Sequence, residues 1–182
     1  MKLPVLVLLL IALAAPHAAP AAPVADTRVF ISPSGEPFRP DASAPDGYEA
    51  WFARVDANHD GRIDRTELRA DATQFFKRLD TDGDGVIDGF EVAAYEKTVA
   101  PELDISGQGF ARGGSSTVEV TSLLSDPEPV SGADVNLDSR ITLAEWLAAA
   151  DRRFDLLDTR HLGYLTHDAL KALLPKPGKK RK

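Results

Sequence analysis

Residues 80–91 read D-T-D-G-D-G-V-I-D-G-F-E, with acidic side chains at positions 1, 3, 5, 9 and 12 of the stretch. So many carboxylates in twelve residues repel one another unless a cation lies between them. A hard cation such as calcium takes six to eight oxygen ligands from carboxylates, backbone carbonyls and water. The glycine at position 6 allows the sharp turn that such a loop needs. The stretch therefore predicts a loop that folds around one cation.

The same twelve-residue pattern begins again at Asp56, which is 24 residues upstream of Asp80. We call the two stretches loop 1 (residues 56–67) and loop 2 (residues 80–91). In each loop we expect side-chain ligands at positions 1, 3, 5, 9 and 12 and a backbone carbonyl ligand at position 7. The expected ligands are Asp56, Asn58, Asp60, Arg62, Asp64 and Glu67 in loop 1, and Asp80, Asp82, Asp84, Val86, Asp88 and Glu91 in loop 2.

Both loops recur at an offset of 78 residues, which indicates an internal duplication. Loop 3 (residues 134–145) keeps most of the oxygen ligands, but Ser139 replaces the glycine at position 6. Because serine does not take a positive φ freely, we expect loop 3 to be strained and to bind more weakly. Its expected ligands are Asp134, Asn136, Asp138, the carbonyl of Arg140, Thr142 and Glu145.

Loop 4 (residues 158–169) keeps the turn but has lost most of the oxygen ligands. Arg160, Leu162 and Ala169 stand where three oxygen ligands belong. We expect no metal here and a structural role as the partner of another loop. In an alternative reading, Asp168 shifts into a ligand position.

The helix between loops 1 and 2 constrains how the loops pair. Residues 68–79 give one helix of about 18 Å, with apolar residues on one face. Loops 1 and 2 then lie at opposite ends of that helix, too far apart to bridge each other. We therefore expect loop 1 to pair with loop 4 and loop 2 with loop 3. The predicted fold class is all-α, with two duplicated halves that share one core.

These loops resemble those of EF-hand proteins of the calmodulin superfamily at every ligand position of loop 2. The resemblance implies helix–loop–helix units that bind Ca²⁺, with two strong sites and one weaker site. The short loop spacing is similar to that of the exported bacterial lanmodulin family, which implies lanthanide binding as an alternative. That family carries proline at position 2, whereas this chain has Ala57, Thr81 and Val135.

The N-terminus indicates export. One Lys precedes eleven apolar residues, too few to span a bilayer, and an A-P-A sequence follows at 19–21. The expected organisation is a signal peptide at 1–21, an irregular segment at 22–45, loops 1 and 2 within 46–100, a flexible insertion at 101–129, loops 3 and 4 within 130–175, and a basic tail at 176–182. We expect the mature protein in the periplasm or secreted, with an uncleaved N-terminal anchor as the alternative.

Composition excludes several classes of protein. The chain has no Cys, which excludes a disulfide framework and a lipoprotein anchor. Its net charge is −7, yet five of the last seven residues are Lys or Arg. We expect that tail to be a solvated end or a weak contact to an anionic surface. No aromatic residues accompany it, which argues against specific nucleic-acid recognition.

We find no catalytic constellation, since cation binding accounts for the paired carboxylates, and we expect no enzyme. The expected protein is a monomer that binds calcium as a buffer or as a metal-stabilised structural module. The alternative is a calcium-dependent sensor that binds a protein partner. The one methionine, Met1, provides no Met-rich groove of the kind that sensors use.

Overall fold

The computed structural model describes residues 28–103 and 120–176. The expected signal peptide, residues 104–119 of the expected insertion, and the basic tail after Lys176 lie outside the described residues. Within the described part, no helix combines the length and the apolar character that crossing a membrane requires.

Five α-helices form where apolar residues recur at helical spacing. They are α1 (Gly47–Val55), α2 (Arg65–Leu79), α3 (Gly89–Ala94), α4 (Leu143–Leu157) and α5 (His167–Leu173). A π-helical segment, Tyr95–Val99, continues α3, and 3₁₀ turns span Pro101–Leu103 and Ser131–Ala133. The residue at position 9 of each loop caps the helix that follows. Capping boxes join Asp64 to Glu67, Asp88 to Glu91 and Thr142 to Glu145.

Seven short strands form three sheets. The strands are β1 (Val29–Ile31), β2 (Pro37–Phe38), β3 (Arg62–Asp64), β4 (Val86–Asp88), β5 (Val120–Ser122), β6 (Arg140–Thr142) and β7 (Tyr164–Thr166). One sheet has the order β2-β1-β5, with β1 antiparallel to β2 and parallel to β5. The other two are the antiparallel pairs β3–β7 and β4–β6.

The predicted all-α class is therefore wrong. About 47% of the described residues are helical and 15% lie in strands, which makes the fold mixed α/β. Two features account for the difference. Each loop contributes a three-residue strand rather than a single bridge, and residues 29–38, within a segment expected to be irregular, form β1 and β2.

The predicted cross-pairing of the loops is confirmed. Ile63 of loop 1 lies opposite Leu165 of loop 4, and Ile87 of loop 2 lies opposite Ile141 of loop 3. All four side chains are buried. The shared helix α2 runs between loops 1 and 2 as its length requires, so each loop finds its partner in the other half of the chain.

The core consists of two clusters, and each cluster mixes the two halves. One joins Phe75 and Phe76 of α2 to Trp146 of α4, whose indole N–H donates to the carbonyl of Ala72 at 2.8 Å. The other joins Trp51 of α1 to residues of α4 and α5. The helices α2 and α4 pack against each other between the two clusters.

Loop 3 lacks an entering helix, as the prolines at 127 and 129 predict. The segment before Asp134 offers β5 and then a single 3₁₀ turn. Loops 1, 2 and 4 each follow a full α-helix. The helix–loop–helix unit is thus complete around loops 1 and 2 and incomplete around loop 3.

Candidate metal centres

All four loops have the same backbone. The residues at positions 4 and 6 have positive φ in every loop, between 55° and 84°. They are His59, Gly83, Leu137 and His161 at position 4, and Gly61, Gly85, Ser139 and Gly163 at position 6. The position-1 carboxylate accepts a hydrogen bond from the amide at position 6, at 2.7 to 3.0 Å. The turn that arranges the ligands is therefore present in each loop, whatever its side chains.

Loop 2 gathers its acidic side chains most closely. Carboxylate oxygens of Asp80, Asp82 and Asp84 lie within 4.8 Å of one another. Asp80 Oδ2 accepts from the Gly85 amide at 3.0 Å, whereas Asp80 Oδ1 is buried and finds no hydrogen-bond partner in the part of the chain that the structure describes. A buried carboxylate oxygen without a donor is costly. A hard cation among these oxygens satisfies it, so the residues fit a calcium ion.

The glutamates at position 12 of loops 1 and 2 already reach across their loops. Glu91 Oε1 accepts from the Thr81 amide at 2.6 Å, and Glu91 Oε2 accepts from the Asp88 amide at 3.1 Å. Glu67 does the same in loop 1, where it accepts from the amides of Ala57 at 3.1 Å and Asp64 at 3.0 Å. Both carboxylates are thus held at the mouth of the loop, where they can close on a cation.

In loop 1 the remaining side-chain oxygens also point inward. The Asp60 amide donates to Asp56 Oδ1 at 3.1 Å and to Asn58 Oδ1 at 2.9 Å, and Asp60 Oδ1 accepts from the Arg62 amide at 2.9 Å. These bonds leave lone pairs free on all three side chains. Loop 1 brings together the same set of ligand oxygens as loop 2, with one amide oxygen in place of a carboxylate oxygen.

Loop 3 is less closed than loops 1 and 2. Asp134, Asn136 and Asp138 make the same hydrogen bonds to the turn as their counterparts in loop 1. Glu145 differs, because within the described part of the chain its hydrogen bonds are to Thr142 alone, at 2.8 and 3.0 Å. It does not reach the amide at position 2. Glu145, at position 12 of loop 3, is therefore not held across its loop as Glu67 and Glu91 are.

Loop 4 uses the carboxylate at position 1, Asp158, to bind its own backbone. Asp158 accepts from the amides of Leu162 at 2.9 Å and Gly163 at 2.7 Å, and these hydrogen bonds hold the pKa of its carboxyl group below the usual value. Asp168, the alternative ligand, is fully exposed and lies 3.2 Å from the ring of His167. The loop keeps the fold of a cation site and lacks its ligands.

Two contacts near the sites were not predicted from the sequence. Arg140 of loop 3 lies 3.6 Å from Asp84 Oδ2 in loop 2, across the β4–β6 pair. The one sequence signal for this contact was the predicted pairing of loops 2 and 3. That pairing sets Arg140, at position 7 of loop 3, beside loop 2. The second contact is a charged cluster behind loop 1, built by Glu36, Arg54, Asp71 and Arg78. No motif marks it, because its members come from three elements.

Comparison with known proteins agrees with this geometry. The EF-hand family model matches residues 49–70 and 73–93. The first match runs from α1 through loop 1 into α2, and the second runs from α2 through loop 2 into α3. Loops 3 and 4 lie outside the matched residues. No curated protein matches the chain. The two matches support an EF-hand calcium-binding family as the one to which this chain is related.

Proposed function

We propose that this protein is exported and binds calcium at loops 1 and 2, and more weakly at loop 3, as a buffer or as a structural module that its ions stabilise. The ligands are those predicted from the sequence. The observation that carries the proposal is in loop 2. Three carboxylates converge there, and among the described residues the buried Asp80 Oδ1 has no donor. No catalytic role is part of the proposal.

Calorimetric titration of the purified protein with calcium tests it by counting sites. We expect two strong sites and one weaker site. Exported EF-hand modules bind with Kd of about 10⁻⁴ to 10⁻³ M, so millimolar titrant is needed. A parallel titration with a lanthanide ion measures the preference between the two metals. A flat calcium titration at these concentrations contradicts the proposal.

A matched pair of variants assigns the strong sites. Glu91→Gln removes one charge from loop 2, and Glu96→Gln makes the same change at an exposed position of the helix that follows. We expect Glu91→Gln to weaken one strong site at least tenfold, which corresponds to about 1.4 kcal/mol. Glu96→Gln should leave both strong sites unchanged. Equal effects of the two variants would show that net charge, rather than ligation, sets the affinity.

Export can be tested by determining the N-terminal residue of the protein that is recovered after expression in a Gram-negative host. We expect a mature chain that starts near Ala22 and leaves the cytoplasm. An intact Met1 on the recovered protein would contradict cleavage.

Deletion of residues 176–182 tests the proposed weak contact of the tail with anionic surfaces, since salt-sensitive binding to anionic vesicles should then disappear.

The sensor alternative has one observation in its favour. Phe90, at position 11 of loop 2, is a large apolar side chain that is 88% exposed and thus accessible to a partner. Binding of a hydrophobic dye separates the two functions. A large calcium-dependent rise in dye fluorescence favours the sensor, and an unchanged signal favours the buffer or structural module.

A further inference from the structure

A group of four charged residues, two buried carboxylates and two more exposed arginines, lies where α1 and α2 meet. We call it the Asp71 cluster: Glu36, Arg54, Asp71 and Arg78. The carboxylates of Asp71 and Glu36 are only 5% and 7% exposed. Arg54 donates to Glu36 at 2.6 and 2.8 Å and also forms an ion pair with Asp71. Arg78 lies 2.5 Å from Glu36. Two buried carboxylates thus share Arg54 as their central partner.

The cluster connects both helices of the first helix–loop–helix unit, which we call hand 1 (α1, loop 1 and α2). Arg54 is in the last turn of α1, two residues before Asp56. Asp71 is on α2, one turn after Glu67. The indole of Trp51 on α1 also donates to Asp71 Oδ2, at 3.4 Å. The contact between the helices therefore lies next to the first and last ligands of loop 1.

This arrangement opposes any change in the angle between α1 and α2. Swinging α1 away would leave Asp71 buried without Arg54, and an uncompensated buried charge is strongly destabilising. Burial already raises the pKa of Asp71 against the lowering effect of Arg54. The second unit differs, because among the described residues no salt bridge joins α2 to α3.

We propose that the Asp71 cluster fixes the angle between α1 and α2, so that hand 1 takes its cation with Glu67 already in place and does not open. Arg54 and Asp71 are then positioning residues for loop 1. They hold the two ends of the loop at the spacing that a cation requires, which lowers the ordering cost of binding. The inference rests on the proposed calcium binding at loop 1.

The angle can be measured without disturbing the cluster. The chain has no Cys, so spin labels on Ala53→Cys in α1 and Gln74→Cys in α2, both exposed positions, report one distance. The backbone amide of Gly61, which donates to Asp56, reports occupancy of loop 1 by NMR. We expect calcium to shift the Gly61 amide while the distance between labels changes by less than about 2 Å.

The two possible failures are distinguishable. A shift of the Gly61 amide together with a larger change in distance overturns the fixed angle and leaves calcium binding intact. If calcium does not shift the Gly61 amide at all, the proposed function fails at loop 1 and the inference fails with it.

Asp71→Asn tests the positioning role. The change keeps the shape of the side chain and removes its charge, and it replaces one of the two accepting oxygens of Asp71 with an NH2 group. Asp151→Asn is the control, since Asp151 is likewise a helix carboxylate that pairs with arginine, here Arg65 and Arg69, but it joins α4 to α2. We expect Asp71→Asn to raise the calcium Kd read from the Gly61 amide about tenfold. The Kd read from the Gly85 amide of loop 2 should not change, and Asp151→Asn should alter neither.

A folded Asp71→Asn protein with an unchanged Kd at the Gly61 amide overturns the positioning role. If that variant does not fold, Glu36→Gln is the milder change, because it keeps the Arg54–Asp71 pair and removes the second carboxylate. It should raise the Kd at the Gly61 amide relative to the unmodified protein, by less than about tenfold. No rise at all would overturn the role of the cluster in the same way.

Discussion

At the scale of single residues, backbone strain ranks loops 1 to 3 in the same order as their carboxylates. Positions 4 and 6 need positive φ, which costs a non-glycine residue about 1 kcal/mol or more. Loop 2 has glycine at both positions, loop 1 has one non-glycine residue there, and loop 3 has two, Leu137 and Ser139. Loop 3 therefore combines fewer carboxylates with the most strained turn.

Ser139→Gly should relieve part of that strain. We expect the free energy of unfolding to rise by about 0.5–1 kcal/mol, since the gain at positive φ is partly offset by the greater freedom of glycine in the unfolded chain. Calcium affinity of the weak site should rise severalfold. Urea unfolding and calorimetric titration measure the two effects. Ser131→Gly, in a helical turn, is the control and should lower stability; a similar loss from Ser139→Gly would contradict the strain argument.

At the scale of elements, the strand pairs couple each loop to its partner. The β4–β6 pair places Ile87 against Ile141 in the core, and the β3–β7 pair does the same with Ile63 and Leu165. A change in one loop should therefore affect its paired loop in the other half of the chain more strongly than the neighbouring loop along the sequence.

Ile87→Ala tests this coupling. Truncation of a fully buried isoleucine should lower the free energy of unfolding by about 2–5 kcal/mol. Calcium binding should weaken at loops 2 and 3, while the Gly61 amide of loop 1 should titrate as before. Ile63→Ala is the reciprocal control and should affect loop 1 and spare loops 2 and 3. Weakening of all three loops by either variant would contradict paired coupling.

At the scale of the whole molecule, the N-terminal segment at 28–38 ties the halves together. Strand β1 pairs with β5, and Arg28 donates to the carbonyl of Pro175 at 2.7 Å. The carbonyl of Gly35 accepts from the Tyr95 hydroxyl, also at 2.7 Å. This segment supplies cross-links that a chain without disulfides otherwise lacks.

Gly35→Ala should loosen that segment. A Cβ at this position would lie 2.8 Å from Pro129 Cγ and 2.9 Å from the Tyr95 hydroxyl, on a residue with φ of +94°. We expect a loss of about 1–3 kcal/mol in the free energy of unfolding, measured by urea titration. Gly89→Ala, whose Cβ would meet nothing within 4 Å, is the control and should cost little. Equal losses would exclude close packing at Gly35 as the cause.

Metal removal should destabilise the entire fold. A ligand at a hundredfold excess over its Kd adds about 2.7 kcal/mol per site, which corresponds to about 5–10 °C in Tm for a chain of this size. We expect Tm in EDTA to fall by at least that amount relative to saturating calcium. Magnesium at the same ionic strength is the control. An equal Tm in EDTA and in calcium would show that the fold does not depend on its ions.

The ligand pattern could be predicted from the sequence because it is local. Twelve consecutive residues contain the donors, the turn and the cap of the next helix, so loops 1 and 2 were recognisable without a structure. The pairing of loops 1 and 4 was also predictable, since the twelve residues at 68–79 leave room for one helix alone. The strands β1, β2 and β5 were missed. The pairing of β1 with β5 joins segments that are more than eighty residues apart in the sequence, so no local pattern reveals it.

The sequence by itself determined where a cation is expected to bind and which loops pair, since spacing and residue type decide those points over short distances. Only the tertiary structure decided that the fold is mixed α/β and that Arg54, Asp71 and Glu36 meet behind loop 1. Those contacts depend on how a strand segment and two helices pack in three dimensions. A carboxylate such as Asp71 looks like any exposed acid until its burial is known.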